Sequence, residues 1–378
     1  MAMTCGIAGY GAVSAAGTDS NSAVEAYRNG KPCWQVNEAT GLPVFAVDTA
    51  ALSPAVIDYA SQRDTDRAGE LALAAALQAV DRAGWRGKDF SILVGCSRGP
   101  TGAWEATYDR FRDSGKPPVR TSPRTTLGSL AFLLADYFGT TELSTGMSVT
   151  CSSGSHAILH CMALLTAGLT DRVLVGGTEA ALTPFTLRQM QALRVYAEPA
   201  AQGTLPCRPL SGEATGMALG EGAAFLALEK SDSNLPLRID GIGFAREQSL
   251  SSTGITPDGQ ALQAAMRDAI HGGLGMPDTI LLHAPGTRKG DAAERTAIET
   301  VFGDKSPLLT SMKWATGHTF GASGPLALVA GLQMLEAGEV WLPPYLPIRD
   351  QAATPHRILV NATGFGGNAV SIRIGRGE

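Results

Sequence analysis

Cys151 is the residue of this sequence whose type and placement most favour covalent chemistry. It lies in the segment VTCSSGSHA, where a short apolar stretch is followed by small residues and then by the apolar run ILHCMALLTAG. That pattern predicts a strand, a tight turn and a helix whose N-terminal end faces the sulfur. A helix N-terminus favours thiolate over thiol, and the thiolate is the nucleophile. The alternative is a buried cysteine that packs as a small hydrophobe.

His318 occupies the corresponding place in a second segment of the same design, TGHTFGASG, which leads into the run PLALVAGLQMLEAG. A histidine at such a turn can donate a hydrogen bond to a thioester carbonyl or to an enolate. A core histidine with satisfied hydrogen bonds is the alternative. Lys313, five residues earlier, can stabilise negative charge, although a lysine taken alone is more often on the surface.

A third candidate is a set of backbone donors in the segment GFGGN, from Gly364 to Asn368. The N–H groups of Cys151 and Phe365 together can form an oxyanion hole. An ordinary β-turn explains these glycines equally well. Another glycine pair, around Glu221 in GEGAAF, has neither the GxGxxG order of a dinucleotide loop nor the GKS or GKT of a phosphate loop, so nucleotide binding has no support.

Metal and disulfide sites find little support in the sequence. His156 and His160 are four residues apart on one predicted helix, a spacing that metal sites use, but no third ligand is evident. The six cysteines form no CxxC pair and are spread over 378 residues. We therefore expect free thiols and no bound metal.

The chain contains two copies of the elements that must position these residues. Each copy runs from a glycine-containing strand through an Ala-rich helical stretch to a buried strand, and then through the strand, turn and helix described above to two closing strands. The matched strands are IAGYGA and IDGIGF, SILVG and TILLH, RVLVGG and RILVNA, and AAFLALE and AVSIRI. Repeated β and α units predict two α/β halves, residues 1–235 and 236–378, related by a pseudo-two-fold axis. Such an axis brings the turns of Cys151 and His318 together.

Composition excludes several classes of protein. The chain is 44% hydrophobic and 17% charged with a net charge of −5, which is unlike a disordered chain. No apolar run reaches the roughly 20 residues that a membrane span needs. Thirty Lys and Arg against 35 Asp and Glu leave no basic excess for nucleic acid. The start of the chain lacks a basic segment followed by an apolar one, so we expect a cytoplasmic protein.

Taken together, these segments resemble the β-ketoacyl-acyl carrier protein synthases, condensing enzymes of the thiolase fold. The resemblance covers nearly the whole chain and rests on IAGYGAVSAAG, VTCSSGSHA, RPL followed by GMALGEGAAFLALE, PGTRKGDAAERTAIETVFG, SMKWATGHTFGASG and GFGG. It implies a layered α-β-α-β-α arrangement of two thiolase-like halves. It also implies an acyl thioester on Cys151 and a decarboxylative Claisen condensation with a malonyl group on acyl carrier protein, in fatty-acid or polyketide biosynthesis.

The resemblance carries further expectations about partners and binding residues. The family works as a homodimer, or as a heterodimer of related subunits, and needs no cofactor beyond the phosphopantetheine arm of the carrier. Thr256 and Thr287 match threonines that bind that arm, and Phe365 matches a gating phenylalanine. Arg63 and Arg67 are candidates for contact with the acidic carrier, and solvated surface arginines are the alternative.

One departure from the family pattern bears directly on activity. The family pairs its cysteine with two histidines, the first in an Asn-Ala-His-Gly-Thr segment, and this chain reads HAPGT there, with Pro285 at the histidine position. A proline has neither a side-chain donor nor a backbone N–H. His283 lies two residues earlier, displaced by about 6.5 Å if the strand continues. A second departure is Ala327, where the family often has a glutamate.

Two interpretations of the function follow. The first is an atypical active synthase that uses Cys151, His318 and Lys313, aided by His283. The second is a non-condensing subunit that resembles a chain-length factor and shapes the tunnel of a heterodimer. Retention of the cysteine and of His318 favours the first interpretation, and loss of the first histidine favours the second.

Overall fold

The computed structural model describes most of the chain, namely residues 4–199, 201, 204–213, 215–230, 235–248, 254–271, 275–305, 307–346 and 354–377. The strands are β1 (Cys5–Ser14), β2 (Gln35–Val36), β3 (Pro43–Phe45), β4 (Ser91–Gly95), β5 (Ser144–Met147), β6 (Arg172–Glu179), β7 (Leu219–Gly220), β8 (Gly222–Lys230), β9 (Leu237–Arg246), β10 (Thr279–Leu281), β11 (Leu308–Thr310), β12 (Arg357–Gly364) and β13 (Asn368–Arg376).

The helices alternate with these strands through both halves. They are α1 (Ser20–Arg28), α2 (Pro54–Arg63), α3 (Arg67–Ala83), α4 (Thr101–Ser114), α5 (Thr121–Thr125), α6 (Ser129–Phe138), α7 (Ser153–Ala167), α8 (Pro184–Ala192), α9 (Gln260–His271), α10 (Arg288–Phe302), α11 (Lys313–Thr316) and α12 (Ser323–Ala337). Short 3-10 turns occupy Thr49–Ala51, Gly303–Lys305 and Phe320–Ala322. None of the helices in the described ranges is long and apolar enough to cross a bilayer.

The strand order displays the duplication predicted from the sequence. In the described part of the chain the large sheet has the order β11-β10-β12-β13-β9-β1-β8-β6-β4-β5. Outward from the centre, β1-β8-β6-β4-β5 in one half corresponds strand for strand to β9-β13-β12-β10-β11 in the other. The halves join where Cys5 pairs with Ile239 and Gly6 pairs with Arg238. The two equivalent α/β halves are therefore confirmed, and the domain boundary between residues 235 and 236 stays a prediction.

Helices cover the strands in layers. α3 and α6 pack on the outer face of the first half, and α9 and α10 pack on the outer face of the second. α7 and α12 lie between the halves, since α12 contacts β6 and β8 as well as β12 and β13. Residues 323–335 of α12 are all buried, as expected of a helix that is apolar on every side. This is the five-layer α-β-α-β-α arrangement that the resemblance implies.

The two central helices meet at their N-terminal ends, where the candidate site lies. A Cβ atom on Gly154 of α7 would come within 2.4 Å of Pro325 Cγ. A Cβ atom on Gly324 of α12 would come within 2.1 Å of Ser155 Oγ. At Gly154 the Cβ atom would also meet the backbone carbonyl oxygen of Gly321 at 2.6 Å, whereas at Gly324 the close contact is with one hydroxyl group. The turns that precede the two helices are consequently held against each other.

Candidate active site

Cys151 lies in the link between β5 and α7, in a turn fixed by its own side chains. Thr150 has φ +51°, a left-handed conformation that costs energy for a β-branched residue. Ser153 Oγ donates to the Thr150 carbonyl at 2.5 Å and accepts the N–H of Val149 at 2.9 Å. These bonds hold the strained turn, and Cys151 is 7% exposed within it.

The surroundings of the Cys151 side chain disfavour the negatively charged thiolate. Burial, followed by the nearby Glu179 carboxylate, raises the pKa of the thiol to about 12. Lys313 and the backbone N–H groups of Cys151 and Phe365 act in the opposite direction. The helix field therefore does not produce a resting thiolate, contrary to the expectation from sequence, because desolvation is the larger effect.

Phe365 belongs to the turn that joins β12 and β13, and this turn is tied to the cysteine link. Thr150 Oγ1 donates to the Phe365 carbonyl at 3.2 Å, and Asn368 Nδ2 donates to the same carbonyl at 3.2 Å. The backbone N–H of Phe365 lies near enough to the sulfur of Cys151 to lower the pKa of the thiol. The structure thus brings together the two backbone donors expected to form an oxyanion hole.

His318 sits in the turn between α11 and α12, fixed through its main chain. Its N–H donates to the Ala218 carbonyl at 2.8 Å, and its carbonyl accepts the N–H of Gly220 at 3.0 Å. Nδ1 accepts the N–H of Phe320 at 3.2 Å, so the neutral ring carries its proton on Nε2. Burial, with a smaller effect from Lys313, lowers the pKa of His318 to about 3. At neutral pH the ring is a hydrogen-bond donor and a very weak base.

His283 lies beside His318. The position of His283 along the predicted strand does not by itself imply this contact. The ring centroids are 5.5 Å apart and the rings meet edge to face at 88°. Burial, then Lys313 and His318, lowers the pKa of His283 well below its usual range. Pro285, two residues on, contributes a carbonyl that accepts from Cys207 Sγ at 3.5 Å. The site therefore contains two neutral imidazoles although the family histidine position holds proline.

Lys313 begins α11 and is 5% exposed, close to acidic groups of α10. Burial lowers the pKa of the lysine, whereas Glu294, Cys207, Asp291 and Cys151 act in the opposite direction. Burial, with a smaller effect from Glu294, raises the pKa of Asp291 to about 7. The sequence analysis missed both acids. Their signal is the i, i+3 spacing in DAAE, which puts them on one helix face directly after the HAPGT turn.

Glu294 supports the segment that carries His283. Its carboxylate accepts the N–H of His283 at 2.9 Å, the N–H of Ala284 at 2.7 Å and Asn361 Nδ2 at 3.0 Å. Burial raises the pKa of this carboxyl group above its usual value. Glu294 therefore fixes the backbone that places the first of the two imidazoles.

Glu179 is a third buried acid that was not singled out from the sequence. It ends β6, is fully buried, and accepts the N–H groups of Ser97 at 2.8 Å, Arg98 at 3.1 Å and Gly321 at 3.0 Å. Burial raises its pKa to about 7 against the effect of those donors. The carboxyl group links the loop after β4 to the turn after His318. An acid at the end of an otherwise apolar parallel strand was the available signal.

The two threonines predicted to bind the substrate arm differ in availability. Thr256 Oγ1 donates to Glu247 Oε2 at 2.9 Å and accepts the N–H of Gln260 at 3.0 Å. Thr287 precedes α10, is half-buried, and makes no side-chain capping bond to that helix. Thr287 thus keeps a hydroxyl free for a ligand, whereas Thr256 is engaged within the protein.

The arginines proposed to meet an acidic carrier are also unlike each other. Arg67 pairs with Glu221 at 3.0 Å and with Glu70 at 2.7 Å, so it supports the fold. Arg63 is exposed and lies 3.4 Å from Asp136. Of the two, Arg63 alone is placed to contact a partner.

The described ranges contain no group of three or more His, Cys, Asp and Glu residues that could hold a metal ion. His156 Nδ1 lies 3.1 Å from the Ser152 carbonyl, and His160 Nδ1 lies 2.7 Å from the His156 carbonyl. Both rings are thus directed to their own helix. The thiol of Cys151 instead shares the buried cation Lys313 with the imidazoles of His283 and His318, since Lys313 affects the pKa of all three. Together with the two backbone N–H donors, these groups are suited to acyl transfer.

Two family models match the chain. The model described as "Beta-ketoacyl synthase, N-terminal domain" matches residues 12–234, and "Beta-ketoacyl synthase, C-terminal domain" matches residues 238–348. Nodulation protein E of Rhizobium meliloti (strain 1021) is 28% identical over 359 residues, which is 88% of this chain and 86% of that protein. The 3-oxoacyl-[acyl-carrier-protein] synthase 2 of Staphylococcus aureus (strain N315) is 30% identical over 301 residues, 72% of this chain and 70% of that protein.

Solved structures share the fold. A type II polyketide synthase acyl-carrier protein in complex with its ketosynthase gives a TM-score of 0.86 at 21% identity, covering 99% of this chain and 100% of the other. A ketosynthase in complex with its chain length factor from Xenorhabdus doucetiae gives 0.81 at 22% identity, covering 99% and 98%. At these identities the likeness concerns architecture, and it confirms the thiolase-like fold.

Proposed function

The chain belongs to the beta-ketoacyl synthase family, and on that premise we propose that it is an acyltransferase that joins an acyl thioester to malonyl-acyl carrier protein by decarboxylative Claisen condensation. The observation that carries the proposal is the surroundings of Cys151. Its sulfur faces two backbone N–H donors, and Lys313 is close enough to lower the pKa of the thiol. We assign the reaction to fatty-acid or polyketide biosynthesis.

The first step is transfer of the acyl group to Cys151. The sulfur attacks the thioester carbonyl carbon, and the carbonyl oxygen becomes an oxyanion bound by the N–H groups of Cys151 and Phe365. The C–S bond to pantetheine then breaks, and the thiol proton of Cys151 passes to the departing pantetheine sulfur. Because the thiol pKa is about 12, proton loss must accompany attack rather than precede it.

The second step forms the carbon–carbon bond. The malonyl carboxylate leaves as carbon dioxide, and its bonding electrons form an enolate on the thioester. The enolate carbon attacks the carbonyl carbon of the acyl group on Cys151, the acyl–sulfur bond breaks, and the thiolate that leaves takes up one proton from water to restore the thiol. His318 donates through Nε2–H to the enolate oxygen, and Lys313 supplies positive charge. His283, edge to face with His318, is our candidate for the second donor in place of the missing family histidine.

Substrate delivery requires a carrier with a phosphopantetheine arm. We assign binding of that arm to Thr287, to Thr256 and to Phe365, and the free hydroxyl of Thr287 supports its role most directly. The proposal needs no other cofactor and no metal, and it places the protein in the cytoplasm. Its partners are acyl carrier protein and a second subunit, either a copy of this chain or a related ketosynthase. Nucleic acid has no part in it.

A second candidate function is a non-condensing, chain-length-factor-like subunit of a heterodimer. Pro285 at the position of the first family histidine is the observation that favours it. One similar structure is itself a ketosynthase in complex with its chain length factor. Under this alternative the related subunit performs the condensation.

Intact-protein mass spectrometry distinguishes these functions. Purified protein incubated with an acyl-carrier donor should gain the acyl mass, and Cys151→Ala should not. Cys161→Ala, a buried cysteine of α7 outside the site, is the matched control and should be acylated normally. Subsequent addition of malonyl-carrier should release a chain longer by two carbons. Acylation without condensation, with condensation restored by a related subunit, would establish the alternative, and absence of acylation at Cys151 would refute the main proposal.

A further inference from the structure

The nucleophilic sulfur is part of an apolar cluster that an attached acyl group would contact. Besides Cys151, this cluster comprises Leu42, Val44, Ala181, Leu187, Met190, Met217, Leu219 and Phe320. Leu187 and Met190 are contributed by α8, and Phe320 lies two residues after His318. The side chains of this cluster are therefore the apolar groups that lie next to the sulfur that would carry the acyl group.

Arg98 lies at the border of this cluster, beside Phe320. The Arg98 guanidinium carbon is 5.9 Å from the centroid of the Phe320 ring, and Nη2 donates to Gln189 Oε1 on α8. The guanidinium thus extends between the aromatic ring of the cluster and the helix that supplies two of its aliphatic side chains. Its backbone is anchored, because the N–H of Arg98 donates to Glu179.

The hydrogen-bonding capacity of Arg98 is incompletely used. Its Nε is buried and has no hydrogen-bond partner, and among the described residues no carboxylate lies within ion-pair distance of the guanidinium. Other arginines also leave Nε unbonded, but each of these has a carboxylate partner: Arg124 with Asp64, Arg172 with Glu229, and Arg208 with Glu213. A half-buried guanidinium with neither a carboxylate nor a full set of acceptors is suited to receive an acceptor from a ligand.

We propose that Arg98 determines acyl specificity, so that Cys151 preferentially accepts acyl chains that retain an oxygen acceptor, such as a chain ketone, over fully saturated chains of equal length. The proposal rests on the proposed function, because it concerns the acyl group that Cys151 receives. A charged donor beside an apolar cluster discriminates against a saturated chain, since that chain desolvates the guanidinium without replacing its hydrogen bonds.

The test uses three pantetheine thioesters of equal chain length: octanoyl, 5-oxooctanoyl and 7-oxooctanoyl. Rates of acyl gain at Cys151 are measured by intact-protein mass spectrometry for the wild type, Arg98→Met and Arg110→Met. Methionine preserves the apolar stem beside Phe320 while removing the charge. Arg110 is exposed on α4 and serves as the matched control. If Arg98→Met does not fold, Arg98→Leu, which also lacks a hydrogen-bond donor, provides the same comparison.

We expect the wild type and Arg110→Met to favour at least one oxo chain by about tenfold, the contribution of one hydrogen bond to a charged donor. Arg98→Met should accept all three chains at rates within about twofold of one another. Equal rates for all three thioesters in the wild type would overturn the assignment, as would a preference that survives in Arg98→Met. Absence of acylation by every thioester would instead refute the nucleophilic role of Cys151, and the specificity proposal would fall with it.

Discussion

The contact between α7 and α12 allows a sharp test of how the two halves meet. A Cβ atom on Gly324 would lie 2.1 Å from Ser155 Oγ but 3.4 Å from Ser155 Cβ, which is an ordinary contact. Gly324→Ala should therefore collide with one hydroxyl group, and Ser155→Ala should remove that collision. Ser155 is 1% exposed, so its hydroxyl has little room in which to move.

The expected magnitudes follow from the closeness of these contacts. Overpacking of this kind costs about 1–3 kcal/mol, so Gly324→Ala should lower the free energy of unfolding by that amount. The double variant should return to within about 0.5 kcal/mol of Ser155→Ala, which gives a coupling energy of about 1–3 kcal/mol. Gly154→Ala is the contrasting case, because its Cβ would meet Pro325 Cγ at 2.4 Å and the Gly321 carbonyl oxygen at 2.6 Å. Ser155→Ala should not relieve it.

Urea unfolding of the single and double variants measures these couplings, and acylation of Cys151 reports the effect on the site. We expect Gly324→Ala to slow acylation and the addition of Ser155→Ala to restore it. If Gly324→Ala is as stable as the wild type, or if its effect simply adds to that of Ser155→Ala, the two helices do not touch as described. The juxtaposition of Cys151 and His318 would then lose its structural basis.

Three further predictions concern the site and the core. Pro285→His should raise the rate of malonyl decarboxylation by restoring an imidazole at the family position, and an unchanged rate would show that the missing histidine does not limit this step. The pKa of Glu179 is about 7 when folded and ordinarily 4.5, so the unfolded state ionises first and stability should fall by up to about 3 kcal/mol as pH rises from 4.5 to 7. Glu179→Gln should remove that contribution in urea titrations and leave the fall that Asp291, whose pKa is also raised to about 7, produces over the same range. An unaltered pH profile would contradict the assignment. Arg373→Met should cost about 3–5 kcal/mol in urea unfolding, because it removes the partner that lies 2.6 Å from the buried Asp240 carboxylate and leaves only the longer contact to Arg357 at 3.8 Å. Arg112→Met, at an exposed pair, should cost less than about 0.5 kcal/mol, and similar costs for the two would contradict this view.

Much of the architecture could be predicted because it depends on local patterns. The apolar strands alternate with amphipathic or wholly apolar helices in the same order in both halves, and the observed strand order reproduces that duplication. The placement of Cys151 at a strand-to-helix turn follows from the same pattern, whereas the short helix α11 lies between β11 and the turn of His318. Once two such turns are related by a pseudo-two-fold axis, their approach is a consequence of the repeat.

His283 shows where local pattern ceases to be informative. Continuation of the strand would displace it by about 6.5 Å from the family histidine position. In the structure β10 ends at Leu281, and Glu294 holds the following backbone by the N–H groups of His283 and Ala284. The ring is thereby brought edge to face with His318. The departure from strand geometry depends on a carboxylate eleven residues away, which strand periodicity does not reveal.

The amino-acid sequence by itself determined which residues can react and which elements carry them, because reactivity belongs to side-chain type and elements follow from short-range periodicity. The tertiary structure alone decided the protonation state of those residues and which other groups lie next to them. Burial raises the pKa of Cys151 and lowers that of His318. The fold places Glu179 near Cys151, and it places Arg98 beside Phe320. Desolvation depends on all the atoms that surround a group, and most of these come from distant parts of the chain.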